Sequence, residues 1–287
     1  MMLVVLLFSG GTTKNYGRAS IHPPFPTGVT LMRKVLLNSG TVVILGLSLV
    51  ILTGILIMPG VAGNGSDNRK LMPPHSSAHG ATAGEWSVRW NLWADSLPVD
   101  HHPLFDTADC SAGQSGDVWF LGGTFTTITG EDGVVRGVAN RDCTIPPGKA
   151  LFFPIVAAET STLEGNGETE EELRELVVYF ADHIDPDALF CIVDGVAAND
   201  LIEFRTESRL FEYGPLPENN LLQFFGFDAP AGSTSPAVSD GVFVMVKPLS
   251  AGKHTIHFGG TLVFTLADDG FDFIFDLDIT YNITVKK

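Results

Sequence analysis

Residues 271–285 read FDFIFDLDITYNITV. Phe271, Phe273, Phe275, Leu277, Ile279, Tyr281, Ile283 and Val285 take every second position, and Asp, Thr and Asn fill most of the places between. A period of two sends alternate side chains to opposite faces of an extended strand. One face is therefore buried and the other wet, the pattern of an antiparallel sheet solvated on one side. Ala267-Asp268-Asp269-Gly270 is a turn signal, so 254–264 and 271–285 are expected to pair as a hairpin.

Working outward, residues 117–129 are rich in β-formers, Gly130-Glu131-Asp132-Gly133 marks a turn, and 134–138 is expected to return. Pro146-Pro147-Gly148 precedes a further apolar strand at 149–156, and Asp194-Gly195 marks a hairpin between 189–193 and the segment reaching Phe204. Two helices interrupt the strands. Thr82 and Thr169 are each followed three residues later by a glutamate, the capping-box pattern that satisfies free amides at a helix start. Trp86, Trp90, Trp93 and Leu97 make the apolar stripe of the first helix, which Pro98 ends. Leu173, Leu176, Val177, Phe180 and Ile184 make that of the second, and its acidic first turn suits the positive end of the helix dipole. The fold expected is mainly β, an antiparallel β-sandwich of jelly-roll or immunoglobulin-like type with two short helices over residues 81–287.

The chain has 287 residues and a formal net charge of −16, which argues against a nucleic-acid partner. The charge is unevenly placed: residues 1–63 hold four basic residues and no acid, and all 33 acids follow. Residues 41–58, TVVILGLSLVILTGILIM, are uncharged and, with Val35-Leu36-Leu37 before them, approach the roughly 20 residues a helix needs to cross hydrocarbon. Arg33 and Lys34 stand just before this run and place the acidic remainder outside the cytoplasm. Residues 32–63 thus read as a cleaved signal peptide or a retained transmembrane anchor. Residues 1–31 are expected to be a tail or to precede a true start at Met32, and 64–80, rich in Gly, Ser, Asn, Pro and His, a flexible linker.

Cys110 and Cys143 lie in polar, turn-rich surroundings and are candidates for one disulfide, with three free thiols the alternative. Cys191, in the apolar run 189–193, reads as a buried free thiol.

Trp86, Trp90 and Trp93, with Pro98, precede His102-Pro103-Leu104-Phe105-Asp106, Cys110 and Gln114-Ser115-Gly116-Asp117-Val118-Trp119-Phe120-Leu121. Cys143-Thr144-Ile145-Pro146-Pro147-Gly148-Lys149-Ala150-Leu151-Phe152-Phe153-Pro154 and Gly252-Lys253-His254 through Gly259-Gly260 follow. This arrangement resembles a family of exported prokaryotic proteins labelled hypothetical or "signal protein", over about 84–285. The resemblance implies export and the pairing of Cys110 with Cys143, and it carries no established activity or catalytic residues. Histidine at 101 or 102 is not part of the family's pattern.

Chemistry-bearing residues concentrate at 101–119. His101, His102, Asp106 and Asp109 offer nitrogen and oxygen ligands, with His102, Asp106 and Asp109 the candidate set for a divalent metal such as Zn²⁺. Adjacent histidines in extended chain point opposite ways, so at most one joins the aspartates, and a polar loop pinned by Pro103 explains the group equally well. Gly113-Gln114-Ser115-Gly116-Asp117 resembles a nucleophile elbow but has Asp where the last Gly belongs and precedes a strand, which favours a turn. Gln114 and Trp119 complete the ligand-binding candidates. Asp272, Asp276 and Asp278 are a possible Ca²⁺ face, more simply a solvated strand face. With no nucleotide, EF-hand or zinc-helix motif, no cofactor is expected. The function expected is an extracytoplasmic binding or surface module for carbohydrate or protein; the alternative is a secreted hydrolase, metal-assisted or carboxylate-based, centred on 101–117. A carbohydrate platform requires exposed tryptophans, and burial of Trp86, Trp90, Trp93 and Trp119 excludes it.

Overall fold

The computed structural model describes residues 70–287. The expectations for 1–31, for the signal or anchor at 32–63 and for 64–69 lie outside the described residues. Among those described, the chain is mainly β, built as two mixed sheets with four α-helices.

The alternating segment forms β11 (Phe273–Val285), the second interior strand of a six-stranded sheet. That sheet runs β2 (Ile128–Thr129), β3 (Val135–Ile145), β11, β10 (Gly252–Phe264), β5 (Phe190–Val193) and β6 (Val196–Ala197). Phe275, Leu277, Ile279, Tyr281, Ile283 and Val285 are buried, and the intervening residues face outward, as the period of two requires. β10 and β11 pair antiparallel over thirteen residues, the expected hairpin. The other sheet runs β1 (Val118–Phe120), β4 (Ala150–Ser161), β9 (Ser235–Val246) and β7 (Arg205–Glu207), and β8 (Phe211–Tyr213) also pairs with β9.

The expectation of antiparallel sheets needs correcting. β3 runs parallel to β11 and β1 parallel to β4. Side-chain alternation is the same in both orientations, and strands far apart in sequence have no tight turn to set their direction.

β4 and β9 are buried almost without interruption because both faces of their sheet are covered. Leu151, Phe153 and Ile155 point into a core shared with the six-stranded sheet, together with Phe258 and Ile279. Ala150 and Phe152, on the opposite face, pack with Trp86, Trp90 and Trp93 in a second core. Those tryptophans belong to α1 (Ala83–Asp95); α2 (Glu170–Asp182) sends Leu173, Val177 and Phe180 into the first core. Both helices open with the expected capping boxes, Thr82 with Glu85 and Thr169 with Glu172. Two single-turn helices, α3 (Leu221–Phe224) and α4 (Leu266–Asp269), were not expected.

Residues 70–80 are not a free linker. Leu71 is 2% exposed and bridges to Val246; Met72 N–H donates to Met245 O, and Lys247 N–H to Lys70 O. Lys70 pairs with Asp194, and the Trp86 indole donates to Ala78 O. The two apolar residues at 71–72 dock the segment where composition alone suggests a tether.

Cys110 and Cys143 form a disulfide, and Cys191 is a buried free thiol whose pKa burial pushes up to about 12. Closing a loop across 33 positions is worth about 4 kcal/mol in the chain-entropy picture. Cys110→Ser with Cys143→Ser is expected to lower unfolding free energy by about 2–4 kcal/mol. Denaturant titration without reductant measures it, and unchanged stability would contradict the role given to the cross-link.

Candidate functional site

A cavity lies between α1, β4 and the inner face of the six-stranded sheet. Trp90, Leu104, Phe125, Leu221, Phe275 and Leu277 supply apolar wall, and Asp95 and Glu159 are its two carboxylates. Its room for the centres of water-sized molecules is about 60 Å³, a slim space. Among the described residues no Lys, Arg or His side chain lines it.

Asp95 is the last residue of α1, where the helix dipole is negative and a carboxylate is disfavoured. It is 5% exposed. Burial, and then repulsion from Glu159, hold its pKa well above the ordinary carboxylate range. Glu159, near the end of β4, is also buried, and desolvation raises its pKa. Behind it lies Glu164, whose pKa is raised well above normal by burial and then by Glu159. Ser161 Oγ donates to Glu164 Oε2 at 3.2 Å and lies 3.0 Å from the Tyr213 hydroxyl. Glu164 Oε1 has no partner among the described residues. Burial thus favours the protonated form of Asp95 and Glu159 at the cavity and of Glu164 behind them.

The loop walling the opposite side is fixed by a polar network. Arg141, 8% exposed, donates to the Asp106 carboxylate, to Gly123 O at 2.8 Å and to the Tyr281 hydroxyl at 3.1 Å. Tyr281 donates to Gly122 O at 3.0 Å. Gly122 is needed there: a Cβ would stand 2.9 Å from the Trp90 ring and 3.0 Å from Leu104. Tyr281→Phe is expected to cost about 1 kcal/mol, the net worth of a buried hydrogen bond, and to speed amide exchange at 122–125. Hydrogen-exchange mass spectrometry reads the loop, and unaltered exchange would sever it from Tyr281.

The candidates at 101–119 do not converge. His102 is fully buried with both ring nitrogens engaged: Nδ1 accepts from Leu104 N–H and Nε2 donates to Ala94 O. Burial lowers its pKa to about 4, so it is neutral. His101 is exposed. Asp106, in a left-handed conformation, is the partner of Arg141; Asp109 caps Ser111 on the surface. Gln114 clamps its own loop, donating to Phe120 O and accepting from Phe120 N–H, both at 2.8 Å. Trp119 is buried, and its Nε1 has no acceptor among the described residues.

Trp86, Trp90 and Trp93 are buried too; each indole ties a loop to α1, through Ala78 O, Leu121 O and Ala112 O. A sugar-stacking platform built from these four tryptophans is therefore set aside. Asp276 and Asp278 accept from Thr261 and His257 on the outer sheet face, and Asp272 accepts from Leu266 N–H. Among the described residues no group of three or more His, Cys, Asp or Glu side chains gathers as a metal site. The chain matches no family model, no curated protein and no solved structure.

Sequence reasoning missed Asp95 and Glu159. The available signal was an acid closing the first helix with no basic residue near, and an acid ending the apolar run after Lys149.

The folded-state pKa values of Asp95 and Glu159 lie above their unfolded ones, so the fold binds more protons than the unfolded chain. Their contribution to stability is complete below about pH 4 and is lost as pH rises through the raised values. Asp95→Asn is therefore expected to flatten the fall in Tm from pH 4 to pH 8 and to raise Tm at pH 8. Thermal melts across that range check it; parallel profiles for the two proteins would contradict the assignment.

Proposed function

We propose that the chain is an extracytoplasmic binding module, tethered or released by residues 32–63, whose two sheets form a β-sandwich and whose ligand enters the cavity at Asp95. One observation carries the reading: the buried carboxyls of Asp95 and Glu159 line an otherwise apolar cavity to which the described residues contribute no Lys, Arg or His. Burying such a group costs free energy that packing alone would avoid, and sites of this kind are where ligands bind. The complement is a small apolar group bearing a cationic donor, an alkylammonium head. Its arrival lets Asp95 ionise, so binding releases a proton.

The disulfide supports the extracytoplasmic half of the proposal, since oxidising compartments are where such cross-links persist. A hydrolase centred on 101–117 draws less support, because His102 has no free ring nitrogen. A carboxylate-based hydrolase has one feature in its favour, the close pairing of Asp95 with Glu159.

Titration calorimetry with n-butylamine on the full chain tests the binding reading. Saturable binding is expected, with a heat that varies with the buffer's ionisation enthalpy and a loss of at least tenfold in affinity in Asp95→Asn. Binding of n-butanol with equal strength, or no binding of either, would overturn it. Turnover in a general ester and glycoside panel that Asp95→Asn abolishes would establish the hydrolase instead.

A further inference from the structure

We propose that the lysine-bearing end of the two sheets docks on a bilayer carrying anionic headgroups. The inference rests on the tethered form of the reading above and adds the surface that meets the membrane.

Every lysine of residues 70–287 stands at one end of the strands: Lys70, Lys149, Lys247, Lys253, Lys286 and Lys287. The topology puts them together. Residues 146–149 join the end of β3 to the start of β4, and 247–251 join the end of β9 to the start of β10. β10 begins opposite the end of β11, with Gly252 facing Val285, and Lys286 N–H donates to Ile145 O. Lys247 N–H donates to Lys70 O, which brings the entry of the chain to the same place.

The opposite end is acidic. The segments 130–134, 162–172 and 265–272 lie there, include Glu170-Glu171-Glu172 and Asp268-Asp269, and hold no lysine or arginine. At the lysine end, 146–149, 247–251 and 286–287 hold no acid. Acids near it include Asp117 and Asp142, and Asp194, which Lys70 engages at 2.6 Å and His254 at 2.9 Å. The arginines are used differently: Arg136, Arg141, Arg174 and Arg205 each pair with a carboxylate of the domain. Lys253, Lys286 and Lys287 are exposed and form no ion pair among the described residues. A hydrated ammonium on a flexible stem suits the diffuse charge of a headgroup layer.

A molecule with its charge separated in this way meets an anionic surface lysine end first. Two further features select a bilayer over a soluble anion. The same loops expose Pro146, Pro147 and Pro248 beside half-buried Leu249, and Val196, next to the turn that Lys70 holds, is 42% exposed. Apolar surface among lysines is the composition of an element lying at a headgroup boundary. The apolar run 41–58 also ends twelve positions before Lys70. At about 3.6 Å per residue or less, the connection spans no more than about 43 Å. The end that carries the lysines is therefore the end at which the tether arrives.

The test reconstitutes the full chain into vesicles of phosphatidylcholine alone, or of phosphatidylcholine and phosphatidylglycerol in equal parts. A membrane-impermeant acetylating reagent, read by mass spectrometry, reports access to each lysine. Acetylation of Lys253, Lys286 and Lys287 is expected to slow at least fivefold in the phosphatidylglycerol vesicles, and half-molar salt is expected to restore it. Lys253→Glu with Lys286→Glu is expected to remove the slowing at Lys287. Equal rates in both vesicles, with the chain resisting a carbonate wash, would overturn the docking face and leave the tether standing. Equal slowing by inorganic phosphate on neutral vesicles would overturn it by giving the lysines to a free anion. A chain that carbonate strips from both vesicles fails the tethered reading. The lysine face then stands if the released chain sediments with phosphatidylglycerol vesicles at low salt, and falls if it does not.

Discussion

The arrangement turns on β4 being covered on both faces. A strand lying between a second sheet and a helix must be apolar at every position, and Leu151 to Ala158 meet that demand. The same placement removes water from whatever lies at the strand's end. Glu159 comes next in the chain, and the last residue of α1, the helix covering the strand, is Asp95. The carboxyl chemistry is thus a consequence of layering: the coat that buries the strand also desolvates the acids at its margin.

Around that margin, polar side chains are spent on holding loops in place. Arg141 and Tyr281 fix 122–123 from the six-stranded sheet, and three tryptophan N–H groups fix 78, 112 and 121 from α1. Gln114 and His102 satisfy backbone groups of their own loops. These residues look chemical in the sequence because they are polar and clustered. Their partners are main-chain amides and carbonyls that irregular segments leave without a ladder.

Local order was legible in the sequence: both long helices with their caps, the alternation of β11, the hairpin before it and the buried Cys191. What a single period cannot carry was not legible. β9 is the central strand of its sheet, yet an apolar run such as 242–246 carries no alternation to mark it, and the parallel pairing of β3 with β11 depends on contacts across well over a hundred residues. Leu71 gave no sign of docking because it and Met72 form only a two-residue apolar run between Arg69-Lys70 and Pro73-Pro74. The site failed for the same reason. Asp95 and Glu159 are 64 positions apart and unremarkable singly among 33 acids, and only folding brings them to one cavity. The cluster at 101–119 drew attention through proximity along the chain, which is not proximity of function.

Cys191 carries a consequence for how the molecule is made. With one disulfide and one spare thiol, three pairings are open to the unfolded chain, and two of them leave the native bond unmade. Cys191 lies on β5 opposite Phe258 of β10, sealed in the core and held as the thiol. Sheet assembly thus withdraws the competitor from exchange, since only a thiolate attacks. If the β5–β10 pair forms before oxidation, Cys191 is already out of reach and the native pairing is the one left to the other two thiols.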